Sequence, residues 1–270
     1  MFILFLYINI FIYIKIMSDL CLVINTCKGY FKNINGLINQ INKIDSEKKF
    51  PRKNILIVSG QEDKDDVVYR DEIKIVKVTY TGLHLTSSIY VYENIDLLKS
   101  KFKYFLLLPD TIKFGKKFFT KIVKLYEENI KNSDALSLPL LNWTVRPTMD
   151  MGILHYNYII NTRDYLNKIK MCKPYDMNML KILKKQLIYN ENIIFGLPSY
   201  FTKDQVTQFN YEFDFDVSIS LCPIINNKND VVEKIITKND KILNRVYFKP
   251  LDLYKFQRNF SLENELVMEL

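Results

Sequence analysis

Apolar positions in the first half of the chain alternate between two rhythms. Leu20 to Thr26 (LCLVINT) is an almost unbroken apolar run, the pattern of a β-strand covered on both faces. After Cys27-Lys28-Gly29-Tyr30, apolar residues recur at Phe31, Ile34, Leu37, Ile38 and Ile41, which places them on one stripe of an α-helix. Asn54 to Ser59 (NILIVS) predicts a second buried strand, closed by Gly60 and the acidic stretch QEDKDD. Ile73 to Val78 predicts a third strand and Thr79 to His84 a turn. Thr86 is suited to capping a helix that runs to about Leu98. Tyr104 to Leu108 (YFLLL) is the most apolar strand and stops at Pro109-Asp110-Thr111, with a further amphipathic helix over Lys116 to Ile130.

The second half is less regular. Ala135 to Trp143 and Gly152 to Ile160 predict strands, a helix begins at Asn161 or Thr162, and Asp176 caps another to about Tyr189. Past Leu197 the clearest element is the alternating run Tyr211 to Ser220, followed by a basic and aromatic ending, YFKPLDLYKFQRNF. Strands alternating with helices predict an α/β fold around a mostly parallel central sheet, with a mixed α+β C-terminal part. No linker-like stretch divides residues 17–134 from 135–270, so the two halves read as parts of one domain.

Composition narrows this picture without redirecting it. Hydrophobic residues make up 48% of the 270 positions and aromatic residues 14%, enough for a packed core. The net charge of +8 is scattered, with no long Arg/Lys tract and no recognisable nucleic-acid module, so no DNA or RNA partner is expected. The 4 cysteines (Cys21, Cys27, Cys172 and Cys222) form no CxxC pair, and there are only 2 histidines. A disulfide framework and a structural zinc site are therefore not expected, and reduced thiols in a cytoplasmic setting are. Residues 1–16 (MFILFLYINIFIYIKI) are apolar, but shorter than the roughly 20 residues a spanning helix needs. They read as a membrane anchor, or as an extension preceding a true start at Met17; membrane association is expected only if they are retained.

In open α/β sheets, ligands bind beyond the carboxyl ends of the parallel strands. The loops to inspect are Thr26 to Tyr30, Ser59 to Asp66, Thr79 to His84 and Pro109 to Gly115, each polar and each following an apolar strand. The usual nucleotide signatures are missing: TCKGYF is neither GxGxxG nor GxxxxGK[ST]. No GxSxG elbow is present.

The succession LCLVINTCKGYFKNINGLINQI, NILIVSGQED, VTYTGLHLTSS and KYFLLLPDT resembles the nucleotide-binding half of a GT-A-fold nucleotide-sugar glycosyltransferase, over about residues 20 to 170. The resemblance implies a Rossmann-like sheet that holds a UDP- or GDP-sugar and transfers its sugar to a glycan, protein or small-molecule acceptor. It also implies that Thr26 and Tyr30 border the nucleoside, and that Glu62 or Asp63 is the acid near the base. Asp110 falls where the last Asp of a metal-binding Asp-x-Asp belongs, but the first position is Leu108, giving Leu-Pro-Asp. One carboxylate can hold Mn²⁺ or Mg²⁺ when diphosphate oxygens and water complete the shell. Otherwise a cation must meet the leaving diphosphate directly, for which Lys113, Lys249, Lys255 and Arg258 are candidates.

An inverting transferase further needs a carboxylate base for the acceptor hydroxyl, and Asp150 and Glu191 are the candidates. Trp143 and His155 are candidates to line a sugar site or, alternatively, ordinary core side chains. The literal Asp214-Phe215-Asp216 reads as the wet face of an alternating strand, since Tyr211, Phe213 and Phe215 share the opposite face.

Overall fold

The computed structural model describes residues 19–47, 49–80, 86–125, 137–139, 152–157, 159–160, 231–238 and 241–256. The anchor segment, Trp143, Asp150, Glu191, the Tyr211 to Ser220 run and Arg258 lie outside the described residues.

Strand β1 (Leu20–Cys27) is buried from Leu20 through Thr26, as its apolar run requires. It pairs in parallel with β2 (Ile55–Gly60) on one side and with β5 (Tyr104–Pro109) on the other. β2 pairs in parallel with β4 (Ile73–Lys77). Three antiparallel strands flank these: β3 (Asp66–Arg70) on β4, β8 (Gly152–His155) on β5, and β7 (Ser137–Pro139) on β8. The order across the seven-stranded sheet is β3-β4-β2-β1-β5-β8-β7. The sheet is thus mixed, whereas the strand-helix alternation predicts a mostly parallel one.

Two local departures accompany the difference. β3 begins at Asp66, the last residue of the expected acidic loop, and runs through residues for which no element was expected; Asp71 and Glu72 both take positive φ (48° and 68°) and make a two-residue hairpin turn into β4. The run Gly152 to Ile160 is strand only to His155, then turns helical at Tyr156.

Alternation along β1 sends Leu20, Leu22 and Ile24 to one face, where they join a core cluster with Ile34, Leu37, Ile38 and Ile41 of helix α1 (Phe31–Ile44). Helix α2 (Thr86–Glu93) lies against β1 and β2 on the other face. The helix expected over Thr86 to Leu98 is broken at Asn94, whose Nδ2 donates to the Tyr90 carbonyl (2.8 Å), and a short α3 (Ile95–Leu98) follows. Thr86 is buried inside α2. The start of α2 is capped from another strand, with Ser87 N donating to Asn25 Oδ1 at 2.7 Å. A side chain at Gly60 would press on Thr86 Cγ2 (3.0 Å) and the Tyr80 carbonyl (3.1 Å), so glycine lets β2 end under α2.

A second, antiparallel sheet runs β6-β11-β10-β9, from β6 (Ile112–Phe114), β11 (Leu253–Phe256), β10 (Lys241–Phe248) and β9 (Val231–Lys238). Of the basic-aromatic ending, Tyr247 and Phe248 close β10 and Leu253–Phe256 form β11, with a turn between them. Phe248, Leu251 and Leu253 are buried in the same cluster as Phe114 and as Phe118 of helix α4 (Phe118–Leu125). The turn between β10 and β11 is tied to the start of α4: the Asp252 carboxylate accepts from Lys117 N (2.8 Å) and Tyr247 OH (2.9 Å). Among the described residues no helix is long and apolar enough to cross a membrane.

Candidate functional site

The four parallel strands stand in the order third, second, first, fourth along the chain (β4-β2-β1-β5). Such a sheet grows first to one side of β1 and then to the other, so the connections leaving β1 and β5 diverge. The crevice at their carboxyl ends is where doubly wound sheets bind ligands. Here the strand ends at that switch point carry Thr26, which is opposite Ser59 on β2, and Asp110, which directly follows β5.

The two residues meet. Thr26 Oγ1 donates to Asp110 Oδ2 at 2.8 Å, and Asp110 N donates to the Asn25 carbonyl at 2.8 Å. The Asp110 carboxylate is thereby aimed across the switch point from a half-buried position, in part because the backbone leaving β5 is clamped to β1. Leu108, two residues earlier, is 1% exposed and in register with Ile24. The position where the resemblance implies a first metal-binding Asp is thus a packed core position. An acid there would be buried among Leu and Ile side chains, at a desolvation cost of several kcal/mol.

Lys255 reaches the same corner from the far end of the chain. β11 pairs with β6 so that Lys255 is opposite Ile112, and Lys255 Nζ donates to Thr111 Oγ1 at 2.5 Å, one residue from Asp110. Lys113 is opposite Tyr254 on the same pair of strands, and Lys249 lies in the turn after β10, its carbonyl accepting from Lys121 Nζ.

The loop after β2 is held by backbone bonds to the segment leaving β4: Gln61 N to Tyr80 O (3.0 Å) and Glu62 N to Val78 O (3.0 Å). Gln61 takes φ 59° there, which turns Glu62 back so that Ser59 Oγ donates to its Oε1 at 2.5 Å. Asp63 points outward instead and pairs with Lys28 of the turn after β1 (2.6 Å), both side chains at least half exposed. Of the two acids expected near a base, Glu62 is folded onto the strand end and Asp63 is engaged by a cation at the rim. The backbone of Tyr30 lies in the 3-10 turn Lys28–Tyr30 that leads into α1.

The neighbours Asn25, Lys28, Ser59 and Thr111 were not among the expected site residues. Lys28, Ser59 and Thr111 fall within the loops expected to border a ligand, and Asn25 is a polar residue near the end of the otherwise apolar run LCLVINT. His155 does not line this rim. β8 runs antiparallel to β5, so His155 is opposite Tyr104 at the start of β5, the far end of the sheet. It is 5% exposed, and burial, reinforced by the positive charge of Lys103, pushes its pKa down to about 4.

Among the described residues no three His, Cys, Asp or Glu side chains converge as a metal cage. Asp110 would hold Mn²⁺ or Mg²⁺ only as a single protein carboxylate, with diphosphate oxygens and water needed to complete the shell. No protein-family model matches the chain, and no curated protein matches it.

Proposed function

We propose that the chain is a GT-A-like glycosyltransferase that holds a UDP- or GDP-sugar at this rim and passes its sugar to a glycan, protein or small-molecule acceptor. The observation that carries the reading is the Thr26–Asp110 hydrogen bond across the switch point between β1 and β5, with Lys255 one residue away on Thr111. A departing nucleoside diphosphate develops negative charge, and a cation already positioned at that point stabilises it without reorganisation. In this reading Lys255 meets the diphosphate, and a divalent ion, when bound, supplies further positive charge next to Asp110. Thr26 orients the Asp110 carboxylate, and the Lys28–Asp63 pair borders the nucleoside. Tyr30 and Arg258 complete the donor side, and Asp150 or Glu191 serves as base toward the acceptor. Support for the GT-A fold comes from the parallel strand order and from the order of the loop motifs quoted above.

A second reading, in which the site binds nucleotide without turnover, is favoured by Leu108, since only one acid stands at the end of β5. Calorimetric titration of the full chain with UDP and GDP, with and without Mn²⁺, tests both. Wild type is expected to bind, and Asp110→Asn to weaken binding about tenfold or more, a loss of roughly 1.4 kcal/mol. The melting temperature should stay unchanged, because Asn can still accept from Thr26. Binding with no consumption of any sugar nucleotide would favour the second reading. No binding of either nucleotide would overturn both.

A further inference from the structure

Strand β3 ends the large sheet among the described residues, and its sequence, Asp66-Val67-Val68-Tyr69-Arg70, is self-complementary about Val68. Val68 packs on the core cluster, so the face it shares with Asp66 and Arg70 is the α1 side, and Arg70 accordingly donates to Asn35 of α1. Val67 and Tyr69 occupy the opposite face and are 46% and 69% exposed, two of the few large apolar side chains left in solvent among the described residues.

The bonding along the edge follows from the same register. In an antiparallel ladder, residues whose N–H faces the neighbouring strand alternate with residues whose N–H faces away. The Val67 amide is taken by the Asp66 carboxylate (2.9 Å), which marks Val67 as outward-facing, and with it Tyr69.

We propose that β3 is a homodimer interface, at which a second copy of this chain pairs antiparallel with the first about a two-fold axis through Val68. That register places Asp66 opposite Arg70 of the second copy and Val67 opposite Tyr69 of the second copy, each twice. Val68 faces its own counterpart. The outward N–H and C=O groups of Val67 and Tyr69 exchange backbone hydrogen bonds in both pairs. Each Val–Tyr pair covers exposed apolar surface, of the β-branched and aromatic kind that stabilises cross-strand neighbours. On pairing, the Val67 N–H passes from Asp66 to the Tyr69 carbonyl of the other copy, and this releases the Asp66 carboxylate to meet the opposing guanidinium. Arg70 can answer while still bonded to Asn35, because a guanidinium has five N–H donors. A slip of one residue would put unlike faces together and lose both charge pairs, so the palindrome selects a single register. The contact is isologous and therefore closes as a dimer, not a fibre. A single short strand buries little area, so the expected association is weak and concentration-dependent.

Sedimentation velocity of the full chain across a range of concentrations tests this. Wild type should self-associate reversibly, stopping at two copies. Asp66→Arg and Arg70→Asp, each of which sets like charges opposite one another at two places, should each weaken association by about tenfold or more. The double swap Asp66→Arg with Arg70→Asp restores opposite charges in the same register and should recover affinity to within about threefold of wild type. Amide exchange read by mass spectrometry should show protection over β3 that grows with protein concentration. A chain that stays monomeric throughout, or a dimer indifferent to both single reversals, would overturn the proposal.

Discussion

Replacing Arg52 with Met tests how the α1-to-β2 connection is held. Arg52 sits in a 3-10 turn (Arg52–Asn54) just ahead of β2, and its side chain is 1% exposed. Its Nη1 donates to Asp45 Oδ2 (2.8 Å) and to the Phe50 carbonyl (3.0 Å). Nη2 donates to the Asp45 carbonyl (2.6 Å), and Nε to Asn42 Oδ1 (3.1 Å). The Asp45 carboxylate, 4% exposed, also accepts from Lys49 N and Phe50 N.

Met keeps most of the apolar stem, so the change isolates the guanidinium. It strands a buried carboxylate with only two neutral donors, and removing one member of a buried pair costs about 3–5 kcal/mol. Against a total stability of about 5–15 kcal/mol, that leaves a fold close to its threshold. Urea unfolding followed by circular dichroism measures the loss as a lower midpoint at unchanged slope. The double variant Arg52→Met with Asp45→Asn leaves no charge buried and should recover part of the deficit. A cost below about 1 kcal/mol in the single variant, or a double variant no more stable than the single, would refute the reasoning.

Two further outcomes follow from the packing. In Gly115→Ala the new Cβ overlaps the Asp252 carboxyl group, which is pinned by Lys117 N and Tyr247 OH and cannot simply swing away. A loss of about 1–3 kcal/mol is expected in thermal or urea unfolding, with the β10–β11 turn losing amide protection first. His155 is neutral in the fold because burial, and then Lys103, lower its pKa to about 4, and its Nδ1 accepts from Asn157 N at 3.0 Å. A folded pKa below the unfolded one contributes stability that is present above about pH 6.5 and is lost as pH falls toward 4. The loss amounts to no more than about 3 kcal/mol. His155→Gln should therefore show a flatter fall in urea midpoint between pH 7 and pH 4 than wild type; parallel curves would exclude a neutral buried imidazole.

Strands β1, β2 and β5, the alternating strand β4 and helix α1 were legible in the chain because burial on both faces, on alternate residues or on one helical stripe writes itself directly into residue order. For the same reason the polar loops opening at Thr26 and Pro109 stood out at the ends of apolar runs, while Thr26 and Asp110 themselves were singled out by the resemblance. β3 escaped because its turn uses Asp71 and Glu72 at positive φ, where an Asn-Gly pair would have announced a hairpin. β6 has only three residues, too few for a period to show. What the chain determined alone was which segments must be buried and where the parallel strands β1, β2, β4 and β5 stop. Which strand lies beside which depends on crossovers and on pairing between residues far apart in sequence. Only that pairing brought Asp110 to Thr26, 84 residues away, and Lys255 to Thr111, 144 residues away. Hydrophobic periodicity is a local signal, whereas the site is made by hydrogen bonds between segments that are neighbours only once the sheets have formed.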